Sequence, residues 1–211
     1  MKDFDLSLYL VLDPLLCADL GMVETTRAAV AGGATIVQLR DKHAPTAAMI
    51  ETGRALKQIL HGSNARLIVN DNVEAAIAIG ADGLHIGQED MNAAEARRLI
   101  GPDMILGLSV ETEALASAIN AGIVDYAGVG PVFATPTKPD HKQPIGLDGL
   151  ARIVGLCPVP TVAIGGLKAE HAANVLTAGA DGLAVVSAIC GTPDPQAATA
   201  LIANVIKEAR R

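Results

Sequence analysis

Ala178-Gly179-Ala180-Asp181-Gly182 joins a segment with helical spacing of apolar residues to a short apolar run, and variants of it recur along the chain. Ala31-Gly32-Gly33-Ala34-Thr35, Ile79-Gly80-Ala81-Asp82-Gly83 and Ala121-Gly122-Ile123-Val124-Asp125 stand in the same relation to the run that follows each of them. A glycine at a helix C-terminus takes a positive φ at little cost and lets the chain return tightly into a strand. The four copies therefore predict four helix-to-strand returns, leading into every second strand of one alternating unit.

Apolar runs at 6–12, 35–39, 66–70, 83–86, 104–108, 126–129, 161–164 and 183–186 read as buried strands. Segments 20–31, 46–61, 73–79, 92–100, 111–120, 146–154, 169–177 and 195–210 read as helices. Strand and helix alternate throughout, and no linker, charge block or low-complexity stretch divides residues 1–211. The expected fold class is α/β, a single-domain (β/α)8 TIM barrel over 1–211. A doubly wound open sheet shares the alternation, but no Gly-x-Gly-x-x-Gly follows the first strand.

Composition narrows the function. Half the chain is hydrophobic but only 2% is aromatic, so base stacking has few platforms. A formal net charge of -7 disfavours nucleic acid and anionic lipid as partners. Cys17, Cys157 and Cys190 are odd in number and form no Cys-x-x-Cys pair, which fits a reduced, cytoplasmic setting. No apolar run is long enough to span a bilayer, and the first residues carry two acids in place of a signal peptide's apolar stretch. The expected partners are small molecules, with a homodimer as the candidate assembly.

In a (β/α)8 barrel the site lies at the C-terminal ends of the strands. The second strand ends in Gln38, Arg40 and Lys42, which share one side of an extended chain. An amide and two cations there suit a polyanion carrying a polar ring, or else a solvated strand end with salt bridges. The third strand ends in Asn70-Asp71, the fourth leads to Asp90, and the fifth ends in Ser109. Each of these equally suits a helix N-cap. Two acids at adjacent strand ends, with phosphate oxygens and water, make a site for Mg²⁺. Gly165-Gly166 and Val186-Ser187 follow the seventh and eighth strands, where barrels hold phosphate on backbone N–H groups. Thr135 and Thr137 can add hydroxyls, and Lys138 a further charge. His85 has the bland reading of a barrel histidine with satisfied hydrogen bonds.

Seven motifs occur in order from about residue 8 to residue 189. They are Gln38-x-Arg40-x-Lys42, Asn70-Asp71, Gly87-Gln88-Glu89-Asp90, Gly107-Leu108-Ser109, Gly128-Val129-Gly130-Pro131 with Thr135-x-Thr137-Lys138, Ile164-Gly165-Gly166, and Val186-Ser187-Ala188-Ile189. Together they resemble the thiamine-phosphate synthase family, (β/α)8 enzymes that join a hydroxymethylpyrimidine diphosphate to a thiazole phosphate and release diphosphate. The resemblance implies that Gln38, Leu39, Arg40, Asp41, Lys42, Asn70, Ser109 and Lys138 hold the pyrimidine diphosphate. Arg40, Lys42, Ser109 and Lys138 would be the catalytic set. It implies that Asp71 and Asp90 bind Mg²⁺, and that Thr135, Pro136, Thr137, Gly165, Gly166, Val186 and Ser187 hold the thiazole phosphate. The loop from Thr135 to Pro139 is expected to close over both substrates. Other readings of such a barrel are a thiazole tautomerase or regulatory relative, a Schiff-base aldolase using Lys42 or Lys138, and a thiamine phosphate sensor without turnover.

Overall fold

The structure, a computed structural model, describes residues 2–135 and 142–211. The strands are β1 (Leu8–Val11), β2 (Ile36–Leu39), β3 (Arg66–Asn70), β4 (Gly83–Ile86), β5 (Ile105–Val110), β6 (Tyr126–Val129), β7 (Thr161–Ala163) and β8 (Gly182–Val185). The helices are α1 (Met22–Ala31), α2 (Thr46–Leu60), α3 (Val73–Ile79), α4 (Ala93–Ile100), α5 (Glu113–Ser117), α6 (Gly146–Val154), α7 (Ala172–Thr177) and α8 (Pro195–Ala209). Each strand pairs in parallel with the next, and β8 pairs with β1 to close the barrel.

The apolar strands divide by parity. Leu10, Val37, Leu67, Leu84, Leu106, Ala127, Ala163 and Leu183 pack in the larger cluster, with the inner faces of the helices. Tyr9, Ile36, Ile68, Ile105, Tyr126, Val162 and Ala184 form a second cluster, which fills the barrel. Burial on both faces is what makes each run read as continuously apolar.

The repeated glycine-containing junction has a structural purpose. Asp82 Oδ2 accepts the Leu67 N–H at 2.8 Å, Asp125 Oδ2 the Leu106 N–H at 2.8 Å, and Asp181 Oδ2 the Thr161 N–H at 2.7 Å. In the first copy, Thr35 Oγ1 accepts the Leu8 N–H at 3.1 Å. The residue leading into each even strand thus secures the start of the odd strand before it. Asp125 does most, because its Oδ2 also receives Arg97 Nη2 at 2.6 Å and Lys2 Nζ at 2.7 Å. Asp125→Ala should therefore cost about 2–3 kcal/mol, the scale of losing charge-assisted hydrogen bonds. A lowered urea midpoint at unchanged slope would show it, and an unmoved midpoint would contradict this assignment.

The expected elements are present, most with bounds moved by one or two residues, and three of the differences have a local cause. Helix α5 is shorter than 111–120, because the Thr112 side chain caps it at the Leu115 N–H and Asn120 closes a turn onto the Gly122 N–H. The 169–177 segment opens as a short 3₁₀ turn, Ala169–His171, before α7. Strand β8 stops at Val185, and the Val186 carbonyl instead accepts the N–H groups of Ile189 and Cys190. Among the described residues, no helix is long and apolar enough to cross a membrane.

Candidate active site at the barrel mouth

The three strand ends that could have been helix caps are not caps. Asn72 caps α3 through the Ala75 N–H at 2.8 Å, Asn92 caps α4 through the Ala94 N–H at 2.9 Å, and Thr112 caps α5. Asn70, Asp71, Asp90 and Ser109 are left to the mouth of the barrel, and all four line it. Gln38, Arg40 and Lys42 line it as well, as alternation along the strand requires. Leu39 has the opposite parity. Its side chain is buried in the helix-facing layer, where it packs close to Gly53 of α2, so only its main chain is available to the mouth. Asp41 does not line the mouth either. Its Oδ1 accepts the N–H groups of His43 and Ala44, both at 3.1 Å, and so shapes the turn into α2 that carries Lys42.

Asp71 is the one non-glycine residue with a positive φ, 61°, among the described residues. This left-handed turn directly follows β3, and the Asp71 N–H is bonded to the His85 carbonyl. It sets the carboxyl close enough to that of Asp90 for the two to influence each other's protonation. Asp90 in turn is anchored by the Gly87 N–H, which donates to its Oδ2 at 2.7 Å. Burial pushes the Asp71 carboxyl up to about 6; the neighbouring Asp90 carboxyl and the repulsion of its charge add to this, while Lys42 and Arg40 pull the other way. Two carboxyls that close need a shared proton or a cation. As hard oxygen donors, the two carboxyls could hold a hard divalent cation such as Mg²⁺. No group of three or more metal-ligating side chains exists among the described residues, so a metal here would take its other ligands from water and substrate.

The opposite side of the mouth is backbone. In the ring of eight strands β7 lies four places from β3. Gly165 and Gly166 follow β7 with φ 91° and 66°. A Cβ on Gly165 would sit 2.5 Å from Pro131 Cβ, and one on Gly166 would sit 2.6 Å from the Ala134 carbonyl oxygen. Only glycines let this turn lie against residues 131–134, which are tied to it by Val132 N–H to Ile164 O at 2.8 Å and Phe133 N–H to Gly165 O at 3.1 Å. Thr135, Val186 and Ser187 complete this wall. Pro136, Thr137 and Lys138 lie outside the described residues.

Tyr9, Glu111 and Lys142 also line the mouth and were not picked out from sequence. Tyr9 shares one face of β1 with Val11, which also lines the mouth, as alternation along the strand requires. Lys142 pairs with Glu89 at 2.8 Å, a contact between distant loops that no local pattern encodes. His85 fits its bland reading in part: its ring nitrogens lie 2.9 Å from Tyr126 Oη and 2.8 Å from Ser109 Oγ.

Comparison with known proteins places this geometry. The sequence profile of the family described as thiamine monophosphate synthase matches residues 8–189. A thiamine-phosphate synthase of Azorhizobium caulinodans is 50% identical over 208 residues, covering 99% of this chain and 98% of the relative. One from Xanthobacter autotrophicus is 52% identical over 206 residues, covering 97% and 98%. A solved thiamine phosphate pyrophosphorylase from Pyrococcus furiosus superimposes with a TM-score of 0.88 at 39% identity, covering 97% of this chain and 96% of that one. A 3-hexulose-6-phosphate synthase structure, at 16% identity and a TM-score of 0.67, shares the fold. A match of that depth and length, on a barrel whose mouth gathers the polar strand ends, means that the chain belongs to the thiamine monophosphate synthase family.

Proposed function

We propose that the two sides of the mouth are two substrate subsites, and that the chain's thiamine-phosphate synthase reaction runs between them by dissociation and capture. The observation that carries this reading is the division of the mouth: cations and paired acids at β2–β4, and a glycine turn with hydroxyls opposite, at β7–β8. Gln38, Arg40, Lys42, Asn70 and Ser109 would hold the pyrimidine diphosphate, joined by Lys138. The N–H groups after β7 and β8, with Thr135, Thr137 and Ser187, would hold the thiazole phosphate. Asp71 and Asp90 would hold Mg²⁺, which when bound supplies positive charge to the diphosphate.

In this reading the bond between the pyrimidine methylene carbon and the diphosphate oxygen breaks, and the electron pair leaves with diphosphate. The electron-rich aminopyrimidine stabilises the cation that remains. The thiazole nitrogen then donates its lone pair to the methylene carbon and forms the new C–N bond. No proton has to be taken from either reacting atom, which suits a mouth built for charge neutralisation and alignment. Arg40 and Lys42 stabilise the departing charge, and the glycine turn fixes the nucleophile opposite. Cys17, Cys157 and Cys190 are all free thiols, in keeping with a cytoplasmic setting.

The subsite map is tested by Ser187→Ala. Its KM for the thiazole phosphate should rise about 10-fold, the scale of one hydrogen bond to a charged group, with the KM for the pyrimidine diphosphate unchanged. Gly166→Leu should act in the same direction and more strongly, since a side chain there meets the Ala134 carbonyl oxygen. Equal increases for both substrates would contradict the map.

A further inference from the structure

Five polar side chains run in series along the floor of the mouth. Gln38 Nε2 donates to Tyr9 Oη at 2.9 Å, and Tyr9 Oη lies 2.9 Å from Tyr126 Oη. Tyr126 Oη lies 2.9 Å from His85 Nδ1, and His85 Nε2 lies 2.8 Å from Ser109 Oγ. The series crosses the barrel from β2 through β1, β6 and β4 to β5. Its two ends, Gln38 and Ser109, line the mouth, whereas Tyr126 is fully buried and does not. The surrounding strands make room for it: a Cβ on Gly107 would collide with the Tyr126 ring and lie 2.5 Å from His85 Nδ1, and one on Gly128 would lie 3.1 Å from His85 Cε1.

Each member has a fixed supply of protons, so the series has a direction. Burial pushes both phenols well above the ordinary tyrosine range, so each keeps its single proton. Because Gln38 gives an N–H to Tyr9, the Tyr9 proton goes to Tyr126, and the Tyr126 proton goes to His85 Nδ1. An accepting Nδ1 leaves the imidazole proton on Nε2, where it is donated to Ser109 Oγ. The Ser109 hydroxyl proton is then free to point into the mouth. The reverse order requires the Gln38 amide to be turned over, and it uses the Ser109 proton on His85.

We propose that Tyr126 is a positioning residue that, through His85, makes the Ser109 hydroxyl a hydrogen-bond donor toward the pyrimidine diphosphate. The inference rests on the reading that Ser109 and Gln38 contact this substrate. It also deepens that reading, since one end of the chain now dictates the other. With one N–H given to Tyr9, Gln38 has its carbonyl oxygen left as the acceptor it would offer a ring amino group in the mouth. Ser109, as a donor, selects an acceptor. A ring with a carbonyl in place of the amino group would have to turn Gln38 over and reverse every bond in the series.

Two measurements test this. Side-chain ¹⁵N NMR of the ligand-free protein should show His85 protonated at Nε2, with its signals identified by their shift in Tyr126→Phe. In kinetics, Tyr126→Phe should lower kcat/KM for the pyrimidine diphosphate about 10-fold, the scale of one hydrogen bond, and leave the KM for the thiazole phosphate unchanged. The Tyr126→Phe/Ser109→Ala double variant should lose no more than the worse single variant, because both act through one hydroxyl. A His85 protonated at Nδ1, or losses that multiply in the double variant, would overturn the inference. Failure of the functional reading would look different: the wild-type chain would not turn over, and the tautomer would still decide the matter.

Discussion

Asp71→Asn is expected to lower kcat about 100- to 1000-fold at a fixed, moderate Mg²⁺ concentration, the scale of losing one group that stabilises developing charge. Asp71 and Asp90 are electrostatic neighbours at the mouth, with Asp90 pinned by the Gly87 N–H and Asp71 held in a left-handed turn. Asn tolerates that turn, so the variant removes a charge and leaves the backbone in place. What it loses is one of two hard anionic donors, and with it the affinity for a divalent cation beside the diphosphate. Asp90→Asn should behave alike, and in both variants raising Mg²⁺ should recover part of the activity. The check is a Mg²⁺ titration of turnover for the wild type and both variants. Unchanged rates for both variants at limiting Mg²⁺ would remove the carboxylate pair from metal binding.

The second large effect is expected at Arg40. Its charge, together with that of Lys42, lowers the proton affinity of Asp71, so cations and carboxylates form one electrostatic unit. Arg40→Gln keeps a hydrogen-bonding head group and removes the charge. A leaving diphosphate gains negative charge as its bond breaks, so a fixed cation beside it stabilises the transition state more than the ground state. The expected result is a kcat lowered about 100-fold, within the range for such a group. The KM for the thiazole phosphate should stay near its wild-type value, because the glycine turn after β7 that would hold it lies three strands round the ring from β2. A wild-type kcat with only a raised KM for the pyrimidine diphosphate would make Arg40 a uniform binding group instead.

The barrel was legible because two signals agreed: eight doubly buried apolar runs, and glycine-containing returns ahead of every second one. The carboxylates in those returns had a meaning that the sequence did not show, since each serves a strand start 15 to 20 residues upstream. Most of the mouth was legible because strand ends in a barrel must converge. Three segments looked like helix caps, and local sequence could not decide, because Asn72, Asn92 and Thr112 offered a second cap one to three residues further on. Leu39 shows the limit of carrying over a whole stretch: alternation along β2 turns its side chain to the helices while Gln38 and Arg40 face the mouth. The interior series from Gln38 to Ser109 was illegible for another reason. Its members come from five strands, and only barrel closure brings Tyr9 beside Tyr126 at a sequence separation of 117.

The most direct test of the account is product formation by the wild-type chain from pyrimidine diphosphate, thiazole phosphate and Mg²⁺. The account predicts thiamine phosphate and diphosphate in equal amounts, with thiamine phosphate formation abolished when either organic substrate is left out. Binding of both substrates without release of diphosphate, as a sensor would show, would contradict it.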